Sequence, residues 1–143
     1  MTTYNFTNGS IAGTPITNVA TPGDTSTLSV RRGFVDSTKQ LLNAADVAQC
    51  IPVYAGEVVV DLWYRVVTAE GTSNAKVDLN VGSTAVVADG AVTPANTIVA
   101  NGNWTPLHIA ANAMINLIPN NAVAIDAGVF EVVAIITKSF DKL

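Results

Sequence analysis

Few side chains in this sequence suit catalysis or metal binding. His108 is the only histidine and Cys50 the only cysteine, which excludes an internal disulfide and a zinc site built on paired cysteines. His108 falls on the outward positions of an alternating run, and Cys50 lies in an apolar stretch that predicts a buried, unreactive thiol. Asp78 and Asn80 share one face of a predicted strand, but a cation site needs several converging oxygen ligands. We therefore predict no catalytic residue, no metal site and no cofactor.

The two tryptophans are the remaining candidates for a binding role. Trp104 stands in a polar stretch that begins at Asn101, and Trp63 alternates with charged residues along a predicted strand. Exposed aromatic rings beside Asn and Asp suit stacking on a sugar, whereas aromatic residues are also enriched at protein interfaces. We interpret both rings as packing or subunit contacts and keep sugar stacking as the alternative.

The elements that must position these residues are β-strands. The sequence contains twenty Val, ten Ile and sixteen Thr, the β-branched residues that favour strands. Turn signals such as Asn-Gly and Pro-Gly recur between short apolar runs. This pattern predicts an all-β chain folded as an antiparallel, jelly-roll-like β-sandwich.

The clearest predicted strand covers residues 57–68. Its period of two predicts that the even positions, such as Leu62 and Tyr64, face the core. The odd positions then face outward, and they include three apolar residues that we select as candidate interface residues: Val59, Trp63 and Val67.

Four other segments complete the predicted organisation. Residues 75–82 are predicted to form a strand that pairs with 57–68 as a hairpin, and residues 107–117 form one bent strand or two short ones. Residues 128–138 are apolar on both faces, which predicts a central strand or a contact with another subunit. Residues 37–48 are the best candidate for a short helix, with Asp36 or Ser37 as its cap.

The first 27 residues differ from the rest, which divides the chain into an extended N-terminal arm (1–27) and a sandwich domain (28–143). The arm is rich in Thr, Asn and Gly, and its larger apolar residues are isolated. Spaced anchors of this kind suit docking on a neighbouring subunit, and a floppy terminus is the alternative. The anchors are Tyr4, Phe6, Ile11, Ile16 and Val19.

Composition narrows the function classes further. The net charge is −4, hydrophobic residues make up 49% and charged residues 13%. An acidic chain with a single basic pair lacks the footprint of nucleic-acid binding, and no apolar run approaches the ~20 residues of a membrane-spanning helix. The N-terminus has no pattern of a secretory signal, so we expect synthesis in the cytoplasm. A weakly charged, apolar domain is typical of a subunit in an assembly.

The segment from Ile51 to Val60 carries a resemblance to a known class of proteins. An Ile-Pro-x-x-Ala-Gly run enters a Val-rich strand, Val-Thr-Ala-Glu-Gly follows at 67–71, and a second strand ends in Val81-Gly82. The N-terminal segment 3–10 and the closing strand 128–134 fit the same pattern. Together they resemble small β-sandwich virion proteins of tailed bacteriophages, including those that decorate or cement the capsid.

This resemblance implies a non-enzymatic virion protein at the capsid surface, made in the host cytoplasm. The implied partners are the major capsid protein and further copies of the chain itself, most naturally as a trimer at local three-fold positions. No nucleic acid and no membrane is expected as a partner. The alternative is a head-fibre or tail-associated module that binds host glycans through Trp104 and the Asn-rich loops.

Overall fold

The chain forms a β-sandwich of two packed sheets. The computed structural model describes residues 1–6, 16–18, 28–120 and 122–138, and it contains no helix among them. The prediction of an all-β, antiparallel sandwich is confirmed, apart from one short parallel pair at an edge of the first sheet. No helix in the described residues has the length and apolarity needed to span a membrane.

The strands divide between a five-stranded and a six-stranded sheet. In spatial order, the five-stranded sheet contains β1 (Thr3–Asn5), β4 (Val47–Val53), β10 (Ala113–Asn120), β6 (Lys76–Val81) and β7 (Thr84–Gly90). The six-stranded sheet contains β2 (Ile16–Asn18), β3 (Ser29–Asp36), β11 (Val129–Lys138), β5 (Glu57–Thr68) and β8 (Ile98–Ala100), with β9 (Leu107–His108) also paired to β5.

The main antiparallel pairs are nested one inside another. The innermost pair is β6 with β7, and it is enclosed by β5 with β8, then by β4 with β10, and finally by β3 with β11. The first and last strands of this series are therefore neighbours. β11 is central in its sheet because it pairs with β3 on one side and β5 on the other.

Apolar side chains from both sheets fill the space between them. The Tyr64 and Phe130 rings meet edge to face with centroids 6.0 Å apart, and the Tyr64 hydroxyl donates to the Ala91 carbonyl at 2.7 Å. The sheets approach each other closely at Gly33, where an added Cβ would lie 2.8 Å from the carbonyl oxygen of Cys50. Only glycine allows this approach.

The alternation predicted along 57–68 is correct for only part of β5. From Leu62 to Val66 the even positions are buried, but Glu57 and Val59 are buried as well. The reason is a β-bulge, at which the register with β11 shifts between Asp61 and Val59. A bulge adds one residue and reverses the faces beyond it, so the predicted outward position of Val59 is wrong.

The predicted hairpin of 57–68 with 75–82 is also wrong. β5 and β6 lie in different sheets, and the intervening segment crosses from one sheet to the other. The burial pattern of β6 itself agrees with the prediction, since Val77, Leu79 and Val81 are buried. The run 107–117 forms two short strands, β9 and β10.

The predicted helix at 37–48 is a loop with turns. Asp36 accepts a hydrogen bond from the Thr38 backbone N–H at 3.0 Å, the bond that a helix cap makes, but turns and not a helix follow it. Leu42 is fully buried and forms an isolated bridge with Ile125. Tertiary contacts therefore decide the conformation of this segment.

The start of the predicted arm belongs to the sandwich of its own chain. β1 pairs in parallel with β4, the Phe6 side chain is fully buried in the core, and Tyr4 packs against that core. Placing these two residues outside the core is thus a wrong prediction. The backbone of Ile16 pairs with β3, whereas Ile11 and Val19 lie outside the described residues.

Candidate functional site

The residues first considered for chemistry are not brought together. In the described ranges no group of three or more His, Cys, Asp and Glu side chains is placed to hold a metal ion. His108 is exposed on β9. Cys50 is fully buried, and burial raises the pKa of its thiol to about 12, although a hydrogen bond with the Leu117 backbone opposes the shift. A thiol with so high a pKa is not a nucleophile at neutral pH.

Asp78 takes part in a polar cluster on the outer face of the five-stranded sheet. The Asn120 amide nitrogen donates to Asp78 at 2.9 Å and to Asp89 at 2.8 Å. The Asp89 backbone N–H also donates to Asp78 at 2.9 Å. These hydrogen bonds link β6, β7 and β10, so we assign the cluster a structural role.

Trp104 completes an interrupted strand edge. β8 and β9 pair with different parts of β5, and the indole Nε1 of Trp104 donates to the Val60 carbonyl between them at 2.7 Å. The ring also packs against the core. The structure therefore supports the packing interpretation of Trp104 directly.

A shallow cleft of about 160 Å³ lies beside this ring. Its lining includes Thr84, Val86, Asn101, Asn103, Trp104 and Leu107. The Asn101 amide nitrogen donates to the Val86 carbonyl at 2.9 Å, and its oxygen accepts from the Asn103 backbone at 2.8 Å. Asn101 is thus committed to holding the loop, and the exposed polar side chains of the cleft are those of Thr84, Asn103 and Thr105.

The outer face of the six-stranded sheet carries many apolar side chains. Trp63 and Val67 lie on it and are half-buried. Other large apolar side chains of this face include Val30, Phe34, Ile98, Val129, Val133 and Ile135. Ile98 is 63% exposed, whereas Val133 is only 5% exposed because its register partners Arg32 and Trp63 flank it.

Few charged side chains lie on this face, and two of them form an ion pair. Arg65 pairs with Glu131 at 3.3 Å and also donates to the Asn96 side chain at 3.1 Å. Arg32 and Asp61 are both exposed. Sequence analysis selected Trp63 and Val67 on this face but missed Val30 and Phe34, whose alternation along β3 was the available signal.

The outer face of the five-stranded sheet is more polar. Gln49, Asn116 and Asn80 lie in one row across β4, β10 and β6. The side-chain oxygens of Asn80 and Asn116 are buried and have no hydrogen-bond partner among the residues that the structure describes. The outer faces of the two sheets therefore differ in chemistry.

Two buried carboxylates hold opposite ends of the sandwich. Glu70 accepts hydrogen bonds from the backbone N–H groups of Asp126, Ala127 and Gly128 at 2.9–3.0 Å, and from Thr72. Burial raises the pKa of Glu70, but these hydrogen bonds outweigh it and leave the pKa below its usual value.

At the other end, Glu57 forms a buried ion pair with Arg31. Glu57 also accepts from the Tyr54 backbone N–H at 2.7 Å, and Arg31 donates to the Pro52 carbonyl at 3.0 Å. The Arg31 guanidinium lies 5.7 Å from the centroid of the Tyr54 ring. Both charges are thereby satisfied within the fold.

Comparison with known proteins gives structural matches alone. No family model and no curated protein matches the sequence. The fold is similar to that of a chain in the capsid of Ralstonia phage GP4, with a TM-score of 0.55 and 12% identity over 85% of this chain and 91% of that chain. It is also similar to a chain of the cyanophage Pam1 capsid asymmetric unit, with a TM-score of 0.54 and 18% identity over 85% and 93%. At these identities the likeness shows that this chain shares its fold with chains of two phage capsids.

Proposed function

We propose that the chain is a structural protein of a phage virion, and that it decorates or cements the capsid. The observation that carries this proposal is the fold likeness to chains of two phage capsids, which extends over most of both partners. Because coverage is high on both sides, the matched capsid chains are close to this chain in length. A small capsid-associated subunit is therefore a suitable model.

The strand order supports the same proposal. The nested pairs give the orders β3-β11-β5-β8 and β4-β10-β6-β7 in the two sheets, which is the arrangement of a jelly roll. Jelly rolls are common in viral capsid proteins and also in lectins. The fold alone therefore leaves both a capsid subunit and a glycan-binding module as candidates.

The proposed action is mechanical. A subunit that binds the assembled shell but not the dispersed shell proteins stabilises the shell by mass action. The partners in this proposal are the major capsid protein and further copies of this chain, with a trimer as the expected oligomer at local three-fold positions. The protein would be made in the host cytoplasm and act at the capsid surface, with Trp63 and Val67 in contact with a partner.

Particle binding tests the proposal. Virions of the phage that encodes the chain are imaged, the copies of the chain are counted, and its position is compared with the shell lattice. Many copies bound at repeated lattice positions, together with earlier heat-induced genome release from particles that lack the chain, are the expected result. A few copies confined to the tail, or unchanged particle stability without the chain, would contradict the cement role.

A glycan-binding module is the second candidate, and the cleft beside Trp104 is the observation that favours it. The indole N–H is already bonded to Val60, so a sugar would meet the ring surface and the exposed polar side chains of Thr84, Asn103 and Thr105. The test is a glycan-array screen of the wild type and of Asn103→Ala, which leaves the Trp104–Val60 bond in place. A glycan that binds the wild type and loses affinity for the variant would support this candidate.

A further inference from the structure

The outer face of the six-stranded sheet has an apolar centre between two opposite charges. β11 runs through its middle, and Val133 and Ile135 point outward from it. Arg32 stands on β3 on one side, and Asp61 stands on β5 on the other. A face with this arrangement suits a partner surface that places a negative charge near Arg32 and a positive charge near Asp61.

The register fixes where the two charges lie. Arg32 is directly opposite Val133, which is opposite Trp63. Two positions along β11, Ile135 is opposite Val30 on one side and Asp61 on the other. Arg32 and Asp61 are thus on different strands and one outward row apart.

Neither charge is neutralised by an ion pair within the described ranges. Arg32 is exposed and has no ion-pair partner there, and Asp61 is exposed and accepts only from the adjacent Leu62 backbone N–H at 2.8 Å. Arg65 on the same face is different, because Glu131 lies beside it. Arg32 and Asp61 are therefore available to a partner.

We propose that two copies of the chain pack these faces together about a two-fold axis that runs parallel to β11. Such an axis places β3 of each copy over β5 of the other. Arg32 of each copy then lies over Trp63 of the other and one row from its Asp61. An Arg side chain over an indole ring adds a cation–π contact.

The distances allow this pairing. Packed sheets lie about 10 Å apart and successive outward residues about 6.8 Å apart. The Cα atoms of Arg32 and the opposing Asp61 are then separated by about 12 Å, which an extended Arg side chain and an Asp can bridge. A two-fold axis across the strands instead places Arg32 over Val30 and pairs no charges, so the parallel axis is favoured.

The size of the face sets the expected strength. Four strands of about seven residues give a footprint on the order of 450 Å² per copy, at the low end for specific interfaces. Association is therefore expected to depend on concentration. A two-fold contact cannot close a trimer, so in this proposal the partner of Trp63 is the second copy and the three-fold association uses a different surface. The two-fold contact does not depend on the cement role.

Sedimentation velocity over a range of concentrations tests this contact. The variants are Arg32→Asp, Asp61→Arg and the double exchange, with Lys39→Asp in an exposed loop as a control that makes the same change in net charge as Arg32→Asp. Each single reversal is expected to lower the association constant about tenfold or more, because it opposes like charges twice. The double exchange is expected to restore it to within about threefold, and Lys39→Asp to leave it unchanged.

Three results would overturn the proposal. They are a wild type that stays monomeric at all concentrations, association that neither reversal weakens, and a double exchange as weak as the single variants. Unchanged melting temperatures identify variants that remain folded. Attachment of the variants to particles is measured separately, so loss of the two-fold contact with intact attachment would leave the cement role standing.

Discussion

The two ends of the sandwich are closed by different chemistry. At the end where β5 stops and β11 begins, Glu70 accepts backbone N–H groups from the loop before β11. At the end where β5 begins, Glu57 is held mainly by the charged side chain of Arg31. One carboxylate therefore binds a loop backbone, and the other binds a side chain of β3, which is separated from β5 by β11.

This difference predicts how each end of the sandwich responds to amino-acid substitution. Every substitution of the loop residues except proline keeps their backbone N–H groups, so the contact at the Glu70 end depends mainly on the Glu70 side chain. At the Arg31 end the contact has two replaceable partners, and the loss of either leaves a buried charge. The predictions below test this contrast, from the largest expected effect to the smallest.

The largest effect is expected for Arg31→Met. The substitution leaves the Glu57 carboxylate buried without its cation, which costs about 3–5 kcal/mol of unfolding free energy. The double variant Arg31→Met/Glu57→Leu is expected to recover part of this loss, because no charge is then buried. Urea denaturation measures both, and Arg65→Met at the half-exposed pair is the control, with a cost below about 1 kcal/mol. A double variant less stable than the single variant would contradict the account.

Glu70→Gln is expected to have the next largest effect. The amide keeps one acceptor oxygen where the carboxylate has two, so backbone N–H groups at Asp126, Ala127 and Gly128 lose charged acceptors. The expected cost is about 2–3 kcal/mol in urea denaturation. Glu131→Gln, which changes a carboxylate with one ion-pair contact, is the matched control. Equal effects of the two substitutions would show that the three backbone bonds add nothing.

The Glu70 end is also expected to be sensitive to acid. The folded-state pKa of Glu70 lies below its ordinary value of 4.5, so its stabilising effect is fully present above that value. The effect is lost as the pH falls through the folded-state pKa. Unfolding free energies of the wild type and Glu70→Gln, measured from pH 7 to pH 3, should converge at the acidic end. A constant difference across that range would contradict the lowered pKa.

Trp104→Phe is expected to have the smallest effect. It removes the bond from the indole N–H to Val60 but keeps an aromatic ring against the core, for a loss of about 1 kcal/mol. Trp63→Phe on the outward face is the control, and both are compared by thermal denaturation of dilute protein. A larger effect at Trp63 than at Trp104 would mean that the edge of β5 gains nothing from the indole bond.

The sequence predicted the class of the fold and the alternation of its regular strands. β6 is the clear case, because apolar and polar residues alternate strictly from Val77 to Val81. β5 shows where such a prediction fails. Val58, Val59 and Val60 are all apolar, so both registers fit the pattern, and only pairing with β11 reveals the bulge.

Contacts between residues that are distant in the sequence could not be predicted from local patterns, for a similar reason. A connection of a few residues after Thr68 suits a hairpin and a crossing between sheets equally well. Phe6 is an isolated aromatic residue, and nothing local indicates which surface buries it. Glu70 stands beside Gly71 in an apparent turn, whereas the loop N–H groups that it binds follow more than fifty positions later.

The nesting of the strand pairs has a consequence for how the chain folds. The Ser29 hydroxyl donates to the Ile136 carbonyl, across 107 positions of the sequence, and folding slows as contacts become more distant in sequence. Until β11 has been synthesised, β3 and β5 lack the strand that lies between them and pairs with both in the finished sheet. The outer apolar face therefore forms only when β11 inserts. The association proposed for this face would therefore have to follow the insertion of β11.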